Sequence, residues 1–362
     1  MSFDISKSLI DWFQRSKRDL PWRRTKNPYH IWVSEVMLQQ TQVATVIPYY
    51  HRFLERFPTI QALAEADSNE LMKVWEGLGY YARARHLQAA ARQILSEYGG
   101  QLPTTRAALR RLKGFGDYTS ASVASLAFGE DCLALDGNAL RVFSRLFGIR
   151  EDIRQRATRL KIESLAQPLL PKGQAGIFNE AVMELGATVC TPKLPHCGHC
   201  PLQTACYAFQ HRLTDTIPYK SSRSKAPHYH IAVGVVHRDG KVLIARRKAE
   251  GFLGNLWEFP GGKLQSGETL ASCCQREIRE ETSLEVSVGE KFAEVKHAYT
   301  HFKITLHAFH CTYLSGEALA RSSQEVRWVS PDELRQYPFP KANQAVIDAL
   351  LRPTASSLSL FT

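Results

Sequence analysis

The chain has 362 residues, 44% hydrophobic and 22% charged, a length that accommodates two separate cores and favours two domains over one. No apolar run approaches the roughly 20 residues of a membrane span and no signal-peptide core opens the chain, so a soluble cytoplasmic protein is expected rather than a membrane or secreted one. The formal net charge of +11 favours a polyanionic partner, and the excess is uneven: 28 Lys and Arg against 20 Asp and Glu precede Ser221, a net of +8, whereas 18 against 15 follow, a net of +3.

In chain order, Ile5–Phe13, Val33–Phe57, Ala84–Tyr98 and Ala157–Leu165 carry apolar residues at helical spacing. Pro21, Gly77, Gly79, Gly99, Gly100 and Pro103 punctuate them, and Pro48 is expected to break or kink the second. The polar, basic, proline-bounded stretch Thr216–Pro227 is expected to be a linker. Beyond it the period changes to two: His230–His237, Lys241–Arg246 and Ile304–Phe309 are predicted strands, and Thr269–Glu281 a helix. The resulting organisation is an all-α domain over 1–215, a linker over 216–227, an α+β domain over 228–352 and a tail over 353–362.

Three local patterns carry chemistry. Cys190, Cys197, Cys200 and Cys206 are spaced C-x6-C-x2-C-x5-C in a proline-rich loop, 190–206. Four soft thiolates can hold either a tetrahedral zinc or an iron–sulfur cluster. Leu112–Tyr118 reads LKGFGDY, two glycines making a tight turn ahead of a helix expected from Thr119 to Phe128. Such a turn offers outward N–H groups to a phosphate without reading bases. Asp136-Gly137-Asn138 follows, an aspartate at the mouth of the next helix, where it could equally be a plain cap.

Hairpin, Asp-Gly-Asn and cysteine spacing together resemble the helix–hairpin–helix DNA glycosylase superfamily. Its endonuclease III-like branch carries this cysteine pattern, which implies a 4Fe–4S cluster in the loop. Leu20–Arg23 (LPWR), Trp32–Val43 (WVSEVMLQQTQV), Gly77–Arg85 (GLGYYARAR) and Phe178–Ala187 (FNEAVMELGA) narrow the resemblance to the adenine DNA glycosylase (MutY) family, which removes adenine misincorporated opposite 8-oxoguanine. The resemblance implies that Glu35 is the general acid that protonates the leaving base and that Asp136 stabilises the oxocarbenium-like sugar. Glu35 lies in an apolar stretch where desolvation raises a carboxyl pKa. The resemblance further implies that Tyr118 and Asn138 position the aspartate and water. Trp22, Arg23, Leu38 and Glu180, with Arg18 as a weaker member, form the adenine pocket. Gln40 and Tyr80 wedge into the base stack, and Gly114 and Gly116 form the DNA-binding hairpin. Lyase-type relatives place a Schiff-base lysine where Tyr118 stands, so a monofunctional glycosylase is expected.

From Gly262 the second half fits the Nudix pattern G-x5-E-x7-R-E-U-x-E-E-x-G-U, except that Ser283 replaces the last glycine. Glu277, Glu280 and Glu281 are then candidates for Mg²⁺. WEFPGGK at Trp257–Lys263 and FPKAN at Phe339–Asn343 resemble MutT, the 8-oxo-dGTP hydrolase, although Ser322 stands where a further glutamate is expected. In adenine glycosylases the related domain reads 8-oxoguanine through a loop similar to His297-Ala298-Tyr299-Thr300-His301, which assigns Thr300, and by the MutT resemblance Asn343, to the damaged base. The implied partner is double-stranded DNA with an A:8-oxoguanine mismatch, bound by a monomer in the nucleoid. Ser357–Phe361 is similar to a sliding-clamp peptide, pointing to Leu358, Leu360 and Phe361. The competing readings are an endonuclease III-like lyase, disfavoured by Tyr118, and a nucleotide-pool Nudix hydrolase, for which Glu35 and Asp136 would be superfluous.

Overall fold

The computed structural model describes residues 3–221 and 226–352. The first part is helical: α1 (Ile5–Ser16), α2 (Pro28–Leu38), α3 (Val43–Arg56), α4 (Ile60–Glu65), α5 (Ser68–Trp75), α6 (Ala82–Tyr98), α7 (Arg106–Leu109), α8 (Asp117–Phe128), α9 (Gly137–Phe147), α10 (Arg156–Ala166), α11 (Ala175–Thr188) and α12 (Tyr207–Gln210). Strands β1 (His228–Arg238), β2 (Lys241–Arg246), β3 (Trp257–Glu258), β4 (Gly261–Lys263), β5 (Glu285–Ala298), β6 (Lys303–Ser315) and β7 (Glu325–Val329) follow, with helices α13 (Leu270–Thr282) and α14 (Lys341–Leu350). Two compact units result, one from Met1–Glu65 and Arg85–Ser222, the other from Ala66–Ala84 and Arg223–Thr362.

In the first unit α2 and α8 are buried almost all round, Tyr29 and Ile31–Met37 on one and Thr119–Ser125 on the other. Such helices belong to the centre of a helical core and show little amphipathic periodicity. Asn27 caps α2 through the Tyr29 N–H, with Pro28 at the first helical position where its missing donor costs nothing. α9 buries Ala139, Leu140, Val142, Phe143 and Leu146 against Phe178, Ala181, Val182 and Leu185 of α11 and Leu9, Ile10 and Phe13 of α1.

Two sequence expectations shift. The break in Val33–Phe57 falls at 39–42, where Gln40 turns left-handed (φ +58°), while Pro48 is absorbed inside α3. Helix α8 begins at Asp117, two residues earlier than expected, so Tyr118 stands in its first turn and Gly116 becomes its N-cap.

The second unit is built on a mixed sheet ordered β3-β2-β1-β6-β5, with β4 paired to β1 and β7 to β2, and only β1–β6 parallel among the pairs described. Its two faces are covered by different helices. Val233 and Val235 pack with Ile304, Leu306 and α14, while Ala232, Val236 and Cys311 pack with Cys273, Cys274 and Ile278 of α13. Burial on both faces makes Ala232–Val236 of β1 a continuous buried run, so the period of two expected over His230–His237 is not kept. The segment Ala66–Ala84 joins this unit through Trp257 Nε1–H to Asn69 Oδ1 (3.0 Å), the Phe339 N–H to Glu76 Oε1 (2.9 Å) and Lys73 Nζ–H to the Tyr337 carbonyl (3.4 Å). Among the described residues no helix is long and apolar enough to cross a membrane.

Candidate active site

One cavity of about 450 Å³ in the first unit gathers most of the residues singled out from the sequence: Trp22, Arg23, Glu35, Leu38, Gln40, Tyr118, Asp136, Asn138 and Glu180 all line it. They arrive on different elements. Glu35 comes from the buried face of α2, Tyr118 from the first turn of α8, Asp136 from the cap of α9 and Glu180 from α11.

Glu35 is 5% exposed. Burial raises its pKa, the hydroxyls of Tyr118 and Ser122 pull it back, and the like charges of Asp136 and Glu180 push it up again. Asp136 also feels burial upward but is better provided for as an anion. Oδ1 accepts the Ala139 N–H (2.7 Å), Oδ2 accepts from Asn138 Nδ2 (2.9 Å), and Arg141 lowers it further. A helix N-terminus favours negative charge as well. Where two such carboxyl groups share one proton, it goes to the one with fewer charge-stabilising partners, which is Glu35. The Asp136 cap and its place in the cavity are one geometry, so capping and chemistry do not compete.

Tyr118 meets Glu35 rather than Asp136: its hydroxyl donates to Oε2 at 2.6 Å. Asn138 bonds Asp136 as expected, and its own Oδ1 accepts from Arg141 (2.7 Å). Arg23 donates to Glu180 (2.9 Å) and Glu184 (3.0 Å). Arg18 grips Glu184 with Nε and Nη2 (2.7 and 2.8 Å) and its own N–H. Burial alone would raise Glu184, yet Arg18 and Arg23 hold it down at about 2. Sequence reasoning missed Glu184, although it sits one turn from Glu180 on the same helix face. It also missed Ser122, one turn from Tyr118. Trp22 is both pocket wall and core, packing edge-on against Tyr50.

The hairpin has two unlike glycines. Gly114 lies at φ +80°, and a Cβ there would sit 2.6 Å from His86 Cβ. Gly116 has an ordinary backbone and open space where a side chain would project. Gln40 and Tyr80 both occupy left-handed conformations (φ +58° and +49°) and are exposed. Non-glycine residues pay strain in that region, and such strain concentrates at functional positions.

Cys190, Cys197, Cys200 and Cys206 line one small cavity with Arg145 and Pro195. Arg145, 2% exposed, donates to Cys190 Sγ (3.3 Å) and to the carbonyls of Thr191, Thr214 and Ile217. Burial raises the Cys200 thiol to about 12 and also raises Cys197 and Cys206. Burial thus keeps the free thiols protonated, and thiolates would be stable in this pocket only on a cationic group, with Arg145 beside them. The donor set fits an iron–sulfur cluster.

In the second unit Arg276 gathers Glu268 (2.6 Å), Glu277 (2.9 Å) and Glu280 (3.2 Å). Glu281 accepts from the Gly261 N–H and Ser322 Oγ, both at 3.1 Å, and is raised to about 7 by burial and by Glu258. Ser283 adopts the left-handed cap that the missing glycine would provide (φ +60°), so that departure leaves the helix end intact. No three His, Cys, Asp or Glu side chains among the described residues are drawn together as they would be around a single ion. Thr300 stands at the tip of the β5–β6 hairpin, and its Oγ1 lies 3.0 Å from the Tyr80 hydroxyl. Asn343 is buried (6% exposed), its Oδ1 turned toward the Phe259 N–H at 3.5 Å. Leu358, Leu360 and Phe361 lie outside the described residues.

Residues 33–168 match the family of HhH-GPD superfamily base excision DNA repair proteins, and 232–349 match the NUDIX domain. Among solved structures, a thermostable thymine-DNA glycosylase is 30% identical with a TM-score of 0.53, covering 57% of this chain and 95% of its own. A non-covalent endonuclease III–DNA complex is 25% identical with a TM-score of 0.50, covering 59% and 99%. Fold and cavity therefore define a helix–hairpin–helix base-excision repair glycosylase with a Nudix domain. Adenine DNA glycosylases of Rattus norvegicus and Homo sapiens are 35% and 34% identical, over 91% and 90% of this chain and 74% and 70% of theirs. The chain belongs to the adenine DNA glycosylase family.

Proposed function

We propose that this enzyme hydrolyses the N-glycosidic bond of adenine paired with 8-oxoguanine in duplex DNA. The observation that carries the reading is the pair Glu35 and Asp136 on one cavity, one carboxyl desolvated among like charges and the other supplied with donors. Adenine leaves poorly as an anion. Glu35 protonates a ring nitrogen as the bond to the sugar breaks, and Asp136 stabilises the oxocarbenium-like sugar until water, positioned with Asn138, adds. Arg23 and Glu180, with Trp22 and Leu38 as walls, hold the flipped base. The Gly114–Gly116 hairpin takes a phosphate, and Gln40 and Tyr80 fill the stack. With Tyr118 in place of a lysine, no Schiff base forms and strand cleavage is weak.

The second unit reads 8-oxoguanine, with Thr300 presented at a hairpin tip and its hydroxyl oriented by Tyr80. The four cysteines hold a 4Fe–4S cluster, which when bound cross-links the loop 190–206. Residues beyond 352 tether the enzyme to the sliding clamp, and the monomer works in the nucleoid. A second activity, Mg²⁺-dependent 8-oxo-dGTP hydrolysis, is favoured by one observation: Glu281, raised to about 7, sits beside Glu258 in a retained Nudix box.

Single-turnover adenine release from A:8-oxoguanine, A:G and A:T duplexes tests the main reading. Expected are a preference for A:8-oxoguanine that Thr300→Ala reduces, no borohydride-trapped product, and inactivity of Asp136→Asn. Full activity of Asp136→Asn, or equal rates on all three duplexes, refutes it.

A further inference from the structure

Glu35 is approached by two hydroxyls that address the same oxygen. Tyr118 donates to Oε2 at 2.6 Å and Ser122 Oγ donates to it at 2.7 Å. Both stand on α8, one turn apart, and Ser122 is fully buried. A serine inside a helix commonly returns its hydroxyl to a carbonyl of the preceding turn. Ser120 does so with Gly116 (2.8 Å) and Ser144 with Leu140 (2.6 Å), whereas Ser122 reaches across to the carboxyl of α2. A carboxyl oxygen offers about two lone-pair directions, so two donors occupy Oε2. The acidic proton is left to Oε1, the oxygen free of both donors, on a side chain that lines the cavity.

We infer that Ser122 is a positioning residue for base excision: with Tyr118 it pins Oε2, so that Glu35 presents its proton from Oε1 to the bound base. The inference rests on Glu35 being the acid. In the step, the Oε1–H bond breaks and the proton passes to a ring nitrogen. The glycosidic bond breaks with its electron pair going to the base, and Glu35 is left as a carboxylate. At that moment both hydroxyl contacts become charge-assisted and tighten, so Ser122 contributes more to the transition state than to the ground state. The other ionisable groups facing Glu35 are Tyr118 from α8, Asp136 at the mouth of α9 and Glu180 from α11. Among the described residues its hydrogen-bond donors are the two hydroxyls.

The test is single-turnover adenine release by the cluster-loaded enzyme across a pH series, with duplex affinity measured in parallel. Ser122→Ala is expected to bind duplex like the wild type and to lose on the order of tenfold in plateau rate. Its activity is also expected to persist to higher pH by about one unit, because a donor to the charged form has been removed. Ser122→Thr, which keeps the hydroxyl, is expected to restore both. Should Ser122→Ala fail to fold, Ser122→Cys, nearly isosteric with a weak donor, gives the same comparison. An unchanged plateau and pH limb, with Glu35→Gln inactive, overturns the role of Ser122 alone. A fully active Glu35→Gln overturns the acid assignment beneath it.

Discussion

Replacing the two hairpin glycines should have opposite consequences. At Gly114 an alanine must hold φ near +80°, which costs an L-residue about 1–2 kcal/mol. Its Cβ would also lie 2.6 Å from His86 Cβ, an atom fixed by the backbone of α6 that cannot rotate away. Relieving that overlap by moving the hairpin adds about 1–2 kcal/mol, in the range for overpacking. Gly114→Ala should therefore lose roughly 3 kcal/mol, equivalent to roughly 6–12 °C in Tm for a unit of this size. Gly116 has no atom within 4 Å of a built Cβ and an extended backbone at the N-cap of α8. Gly116→Ser supplies a good cap, so its Tm should match or exceed the wild type, while the added side chain fills the space a phosphate would use and weakens duplex binding. Thermal unfolding beside duplex titration at two salt concentrations reads both effects. A Gly114→Ala protein as stable as wild type would refute the steric reasoning. Undiminished duplex affinity in Gly116→Ser would refute the phosphate site.

Glu184 should tie stability to acid pH. Its pKa is depressed in the folded state, so its contribution is complete above the usual carboxylate value near 4.5 and is lost as pH falls toward about 2. Unfolding free energies from pH 7 to 3 should fall less steeply in Glu184→Gln, which starts less stable, and parallel curves would dismiss the linkage. For the Nudix box, full-length enzyme with Mg²⁺ and 8-oxo-dGTP should show slow turnover abolished by Glu281→Gln. Absent turnover leaves the second unit as a reader only, and turnover indifferent to that change removes Glu281 from the hydrolysis.

The elements with sustained periodicity were legible from sequence, and so were the start of Ile5–Phe13, whose helix runs on to Ser16, and both ends of Lys241–Arg246. The break in Val33–Phe57 was not, because a left-handed turn at Gln40 leaves no glycine to announce it and Pro48 drew attention to the wrong place. Most side chains singled out in the first unit could be read from sequence as neighbours, and they line one cavity. Its wiring was less legible: Tyr118 bonds Glu35 instead of Asp136, and Glu184 and Ser122 were missed. Each missed residue stands one turn from one that was found, on a helix that is largely buried. On such a helix polarity pattern no longer tells inside from outside, and only a partner's position assigns a role.

The segment Ala66–Ala84 has a consequence for anyone who would recombine these enzymes. It is bounded on both sides by residues of the first unit, yet its hydrogen bonds from Asn69, Glu76 and Tyr80 run to Trp257, Phe339 and Thr300. A chimaera spliced only at the polar stretch near 221 would graft a foreign second half onto the wrong counterpart for this insert. The functional seam passes through three places in the chain, and a working swap has to carry the internal cassette along with the C-terminal one.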